Sequence, residues 1–420
     1  MLIVVAATVL FKIQLPLAPA WELFHRLTLE ETERYLDKRV AQGFNVIQAV
    51  ALAELDGLRR PNANGHYPLL QGPGDDFAEA EPDLRGEQNY WTHVDQVLDM
   101  AEARGLYVAF LPTWGDKWDR MGRVGPEIFH KDNAYTFASF LAERYGKRPN
   151  IIWVLMGDRR PYKRRHFEVL DALAHGIRDH ADPRQLITAH PGSNQHSSTY
   201  LHEEEWLDFN MIQSAHYGLN HPSYEYVAKD RALTPVRPTL DAEPCYEDLP
   251  VSFEPVNGYF DAFDVRQGCY WAVLAGGLGV TYGHHAVWSI NTEQSPDCPV
   301  TWQDALDRPG ARQMGYLRAV MERVDFQTGE PRQDLLQTAL TGANYTPVFA
   351  GEGFLLAYSP NGLGFTLDRE GLKALLVDKA TAQWMNPRTG EYRDAGDVTE
   401  RFLPPSAGRN NDSVLMLKQQ

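Results

Sequence analysis

The stretch NIIWVLMGDRRP, residues 150–161, decides the fold. Its apolar run ends at Gly157 and delivers Asp158, with Arg159 and Arg160 directly behind. A near-continuous apolar run of this length predicts a strand covered on both faces, as in a parallel sheet flanked by helices. Helical patterns lie on either side, at 132–146 and 165–180. Strand and helix therefore alternate around Asp158.

The alternation extends outward in both directions. LTLEETERYLDKRVAQG opens on Thr28 with Glu31 three residues on, a capping box, and stops at Gly43. Further helices are predicted at 90–105, 258–277 and 308–324. Strands are predicted at 45–52, 106–114, 150–158, 186–191, 209–217, 237–244 and 279–286. With one more strand at the N-terminus there are eight, the pattern of a (β/α)8 TIM barrel over residues 1–327. An open doubly wound sheet is the alternative, but no Gly-rich phosphate loop follows any strand. Beyond residue 328 helical periodicity gives way to short runs: FLLAYS, ALLVDK, TAQWMNP and DSVLML. They are separated by NG, RTG and DAG turns, which predicts a small antiparallel β domain over 328–420, docked without a long linker.

Composition narrows the function. The net charge of -16 argues against a general nucleic-acid binder and gives no reason to expect an anionic membrane surface as partner. The three cysteines, Cys245, Cys269 and Cys298, are too few and too scattered for a disulfide framework or a zinc knuckle. Ten tryptophans suit either core packing or a sugar-binding cleft, where apolar sugar faces stack on rings. The first twenty residues allow two readings. MLIVVAATVLFKIQLPLAPA is too short an apolar run to span a bilayer and ends on a signal-peptidase-like Ala18-Pro19-Ala20. No Lys or Arg precedes the run, so it also fits a buried first strand. Secretion or a periplasmic location follows if a signal lies upstream; a cytoplasmic one follows if the start is as written.

In a TIM barrel the active site lies where strands end and βα loops begin. Those positions carry Trp21, Glu54, Trp114, Asp116, Asp158, Arg159, His190, His216, Tyr217, Glu243, Tyr246, His285 and Trp288. Glycosidic hydrolysis needs one carboxylic acid to protonate the leaving oxygen and a second carboxylate as nucleophile or base. Asp158 after the fourth strand and Glu243 after the seventh resemble the placement in the large clan of retaining (β/α)8 glycosidases. That clan uses Glu at both positions, so Asp158 is a departure with a shorter arm. Arg159, Arg160, Lys163, Arg164 and Arg165 read as solvated surface or as a local attraction for an anionic substrate. His190, His216, His284 and His285 raise zinc as a minor alternative. No cofactor is expected, and no G-x-S-x-G nucleophile elbow is present.

Longer stretches carry a family resemblance. AWELFHRL (20–27), QAVALAELDGLRRPNANGHYPL (48–69), LPTWGDKW (111–118), NIIWVLMGDRRP and LDAEPCYEDLP (240–250) resemble the apiosidase-like glycoside hydrolases. WMNPRTGEYRDAGDV (384–398) and FLPPSAGRNNDSVLML (402–417) resemble the β domain that follows them, named for collagen binding; nothing in this sequence supports that label. The resemblance implies a C-terminal β-sandwich and cleavage of apiosyl linkages in the plant cell-wall pectin rhamnogalacturonan II. It implies Asp158 as acid/base and Glu243 as nucleophile. The departure is at the start: family members enter through a strand of the type PFFWLGDTAWELF, and ungapped its Asp falls at Ala18. Loss of that carboxylate keeps a non-catalytic carbohydrate-binding protein as the alternative.

Overall fold

The computed structural model describes residues 16–74, 76–77, 79–214, 216–376 and 379–420. The apolar run before residue 16, expected to be either a signal or part of the first strand, lies outside the described residues.

Eight parallel strands form the barrel: β1 (Leu17–Pro19), β2 (Val46–Leu52), β3 (Tyr107–Thr113), β4 (Ile151–Leu155), β5 (Ile187–Ala189), β6 (Asn210–Gln213), β7 (Thr239–Asp241) and β8 (Gly279–Val280). β1 to β5 pair in chain order, as do β6 to β8. Two seams close the ring. Leu17 bridges Thr281 in parallel, and the Tyr282 amide donates to the Leu17 carbonyl at 2.8 Å. On the other side the Asp208 amide donates to the Ile187 carbonyl at 2.9 Å. Short as it is, β1 therefore completes the barrel without a carboxylate at position 18.

The helices that follow each strand are α1 (Leu29–Ala41), α2 (Tyr90–Ala103), α3 (Lys131–Tyr145), α4 (Arg164–His180), α5 (Ser198–Leu201), α6 (Ser223–Arg231), α7 (Ala262–Leu274) and α8 (Pro309–Glu322). The capping box at α1 forms as its sequence dictates, with Thr28 and Glu31 each satisfying the other's amide. α5 is a single turn that the sequence does not announce. β2 is buried along its whole length, because one face packs under helices and the other fills the barrel interior. Among the described residues no helix is long and apolar enough to cross a membrane.

The C-terminal β-sandwich is built on a six-stranded antiparallel sheet, ordered 330–331, 348–351, 354–359, 413–419, 380–385, 392–394. A second pair, Phe365–Thr366 with Arg401–Phe402, covers one side. One expected strand is corrected. ALLVDK begins inside a helix, Arg369–Leu375, because Asp368 caps it by accepting from the Gly371 amide at 2.6 Å. The domain docks on the barrel through a buried ion pair. Arg266 on α7 is only 1% exposed and grips Asp412 at 3.0 and 2.8 Å, while the Tyr358 hydroxyl donates to the same carboxylate at 3.1 Å. The Tyr270 and Tyr358 rings stack beside it, 4.7 Å apart.

Candidate active site

The end of β4 is built around two glycines. Met156, Gly157 and Asp158 follow the strand with φ of 72°, 64° and 59°, three successive residues in the left-handed region. The Gly115 amide donates to the Gly157 carbonyl at 2.9 Å. A Cβ on Gly157 would lie 2.7 Å from the Gly115 nitrogen, and one on Gly115 would lie 2.5 Å from the Gly157 oxygen. Only glycine allows the β3 and β4 ends to approach this closely. The turn swings Asp158 inward, where its Oδ1 is buried without a hydrogen-bond partner among the described residues.

Glu243 arrives from the end of β7 and is held from both sides. His216 Nε2, beyond β6, donates to Glu243 Oε1 at 3.0 Å. His190 Nε2, beyond β5, lies 3.3 Å from Oε2. Tyr246 packs against His216 with ring centroids 4.8 Å apart. Burial alone would raise the Glu243 carboxyl, but the hydrogen bonds and charge of His190 and His216 outweigh it and hold it down, at about 2. Asp158 has the opposite environment. Burial, then the Glu243 charge, pushes it up to about 7, against the lowering effect of His190 and Arg159. For His190, burial alone would lower the ring, but the Glu243 contact and charge, then Asp158, outweigh it and raise it.

The other expected site residues separate into walls and braces. Trp21 and Trp114 are each 3% exposed; their rings lie 5.3 Å apart and both face His190, so they form a buried floor rather than an open stacking surface. Glu54 is near the pair, since its charge adds to the rise of Asp158, and burial pushes its own carboxyl up. His285 accepts from Trp288 Nε1 at 3.3 Å; burial, then His284 and His216, lowers its ring to about 4. Tyr217 is 45% exposed at the rim. Asp116 is a correction. It is fully buried and saturated by Lys117 Nζ at 2.6 Å and the Gly125 amide at 2.8 Å, so it anchors the β3 loop and does not face a ligand.

Arg159 is also more enclosed than its sequence context suggests. It is 4% exposed; its Nε donates to the Asp119 carbonyl at 3.0 Å and its Nη1 to the Asp158 carbonyl at 2.7 Å. Nη1 also reaches Asp158 Oδ2, at 3.4 Å. Farther along, Arg164 pairs with Glu168 at 2.8 Å and Arg165 with Glu127 at 3.1 Å, so part of the basic cluster is spent on local ion pairs. For the zinc alternative, His284 is engaged by Asp248 at 3.1 Å. Among the described residues no group of three or more His, Cys, Asp or Glu is arranged to hold a metal ion.

Sequence reasoning missed Phe253 and Glu22. The Phe253 ring meets His216 edge-on at 5.5 Å. Glu22, one residue past Trp21, is completely buried, accepts from the Leu55 amide at 3.0 Å and is raised to about 7 by burial. No periodic signal marks either one.

Carboxyls stand at the ends of β4 and β7 with aromatics and histidines between them, and the comparisons make the chain a glycoside hydrolase. The chain belongs to the apiosidase-like family: the profile "Apiosidase-like, catalytic domain" matches residues 18–328. Residues 331–418 match the "Putative collagen-binding domain of a collagenase". Among solved structures, a glycoside hydrolase family 5 protein from Bacteroides vulgatus is 29% identical, with a TM-score of 0.87 over 97% of this chain and 89% of that one. A second glycoside hydrolase is 27% identical, with a TM-score of 0.86 over 97% and 93%. Eubacterium rectale Amy13B, 10% identical with a TM-score of 0.58 over 97% and 96%, shares the fold alone. The comparison with curated proteins gave no match.

Proposed function

We propose that this glycoside hydrolase is a retaining, exo-acting enzyme that cleaves apiosyl or similar linkages in rhamnogalacturonan II. Asp158 is the acid/base and Glu243 the nucleophile. The observation that carries the assignment is the opposed environment of the two carboxyls. Glu243 accepts a hydrogen bond from His216, has His190 Nε2 3.3 Å from its other oxygen, and stays ionised, ready to attack the anomeric carbon. Asp158, buried and facing that charge, stays protonated near neutral pH and can hand its proton to the leaving oxygen. After attack the same residue, now ionised, accepts a proton from water as the glycosyl-enzyme is hydrolysed. Arg159 braces the Asp158 backbone and lowers its carboxyl, which favours that second role.

The apiosyl substrate rests on the family membership and on Arg160 and Lys163, exposed on the β4 loop, whose charge suits an anionic pectin. The test is release of apiose from rhamnogalacturonan II fragments by the wild-type chain, Asp158→Asn and Glu243→Gln. Both variants should lose about a hundredfold or more of kcat/KM; unchanged turnover in either sinks the assignment. Ala18 favours a second reading, a carbohydrate-binding protein without turnover. Oligosaccharide binding with no product after long incubation selects it.

A further inference from the structure

Trp21 and Trp114 are buried in the cleft, so an exposed surface on which a sugar ring stacks must be sought at the rim. Phe253 and Tyr217 supply one. Both are large aromatics left 49% and 45% exposed at the barrel's C-terminal rim. Their rings meet edge to face at 5.6 Å, and Phe253 also packs edge-on against His216 at 5.5 Å. His216 is the residue that holds Glu243. The exposed pair is thus one side chain removed from the reacting carboxylate.

The loop that carries Phe253 is held in place for a purpose other than burial. Ser252 and Phe253 have φ of 58° and 63°, two successive residues with side chains in the left-handed region. Such a conformation persists only where the surroundings impose it. Here the Ser252 amide donates to the His216 carbonyl at 2.9 Å, and the Val251 amide to the Gly258 carbonyl at 2.9 Å. Asn257 Nδ2 donates to the Val251 carbonyl at 3.2 Å, and the Tyr259 hydroxyl to the Pro296 carbonyl at 2.6 Å. A fold that strains its backbone to leave a phenyl ring half in water gains nothing from hydrophobic burial of that ring. A preorganised apolar face beside a glycosidase centre is matched by the C–H face of a sugar ring.

We propose that Phe253 and Tyr217 form a stacking subsite for a second sugar ring of the substrate, next to the residue cleaved at Glu243. This rests on the glycosidase reading and sets its substrate class: an oligosaccharide spanning at least two rings, with an unsubstituted apolar face on the ring that Phe253 meets. Affinity for such a ligand comes from this platform, whereas the chemistry comes from Asp158 and Glu243.

The test is a titration of oligosaccharides prepared from rhamnogalacturonan II into the full-length Glu243→Gln chain, with and without a second change at Phe253. Phe253→Ala should weaken binding on the order of tenfold, the scale of one aromatic contact. Phe253→Trp, which keeps a flat apolar face, should restore it to within about twofold. Affinities within twofold of each other in all three proteins overturn the platform, as does failure of Trp to restore binding in a variant whose circular dichroism is native. Absence of binding to the Glu243→Gln chain also overturns it. Sugar release by the unmutated chain reports on the hydrolase reading alone, so the two can fail separately.

Discussion

His216 and Glu243 are joined by a 3.0 Å hydrogen bond across the ends of two adjacent strands, β6 and β7. A charge-assisted bond of this kind contributes roughly 1.5–3 kcal/mol. His216→Ala should therefore lower kcat about ten- to a hundredfold. It should also raise the Glu243 pKa, so the acid limb of the kcat/KM profile moves up. Steady-state rates across pH check both.

The alkaline limb belongs to Asp158. In the proposed mechanism the acid form is the proton donor, and its carboxyl is raised to about 7, so activity should fall as pH rises through that value. Arg159 lowers this carboxyl. Arg159→Ala should move the alkaline limb to higher pH, whereas a limb that moves down would contradict the electrostatic assignment.

Four carboxyls, Glu22, Asp158, Asp241 and Glu247, are each raised to about 7, with desolvation the largest cause. In the unfolded chain such groups ionise near pH 4. Their folded pKa is the higher one, so their contribution to stability is full below about pH 4 and is lost as pH rises through about 7. Glu243 runs the other way, its contribution being lost as pH falls towards about 2. At pH 8, Asp158→Asn should raise Tm by a few degrees while abolishing turnover; scanning calorimetry at pH 5 and 8 checks the sign.

Gly157 should tolerate no side chain. Gly157→Ala places a methyl 2.7 Å from the Gly115 nitrogen, in a left-handed backbone. Displacing Asp158 by even about 1 Å costs on the order of a hundredfold in rate. Kinetics with circular dichroism separates this from unfolding.

Arg266→Ala leaves Asp412, 0% exposed between barrel and sandwich, without its cation and with only the Tyr358 hydroxyl beside it. Loss of one partner from a buried pair costs about 3–5 kcal/mol. Urea denaturation should show that loss, while the active-site residues stay in place.

The barrel is legible in the sequence because parallel strands are apolar along their whole length and each ends at a marked polar position, as β4 ends at Asp158. The C-terminal domain is legible by its turns, but the helix at Arg369–Leu375 is decided by the Asp368 cap, which the apolar run ALLVDK conceals. Asp158 and Glu243 are legible as strand ends. What they do to each other is not, because it depends on His190 and His216, whose approach to Glu243 follows from barrel closure. Asp116 sits at the same kind of strand end as Asp158, yet Lys117 and Gly125 consume it. Phe253 stays hidden because its exposure comes from a backbone twist at Ser252 with no residue signature.

Covalent trapping tests the account most directly. A 2-deoxy-2-fluoro apioside with a good leaving group forms a glycosyl-enzyme that turns over slowly, and peptide mass spectrometry locates the sugar. The account predicts one label, on Glu243, absent from Glu243→Gln. A label on Asp158 or any other residue, or turnover of the unfluorinated sugar with no label formed, would contradict it.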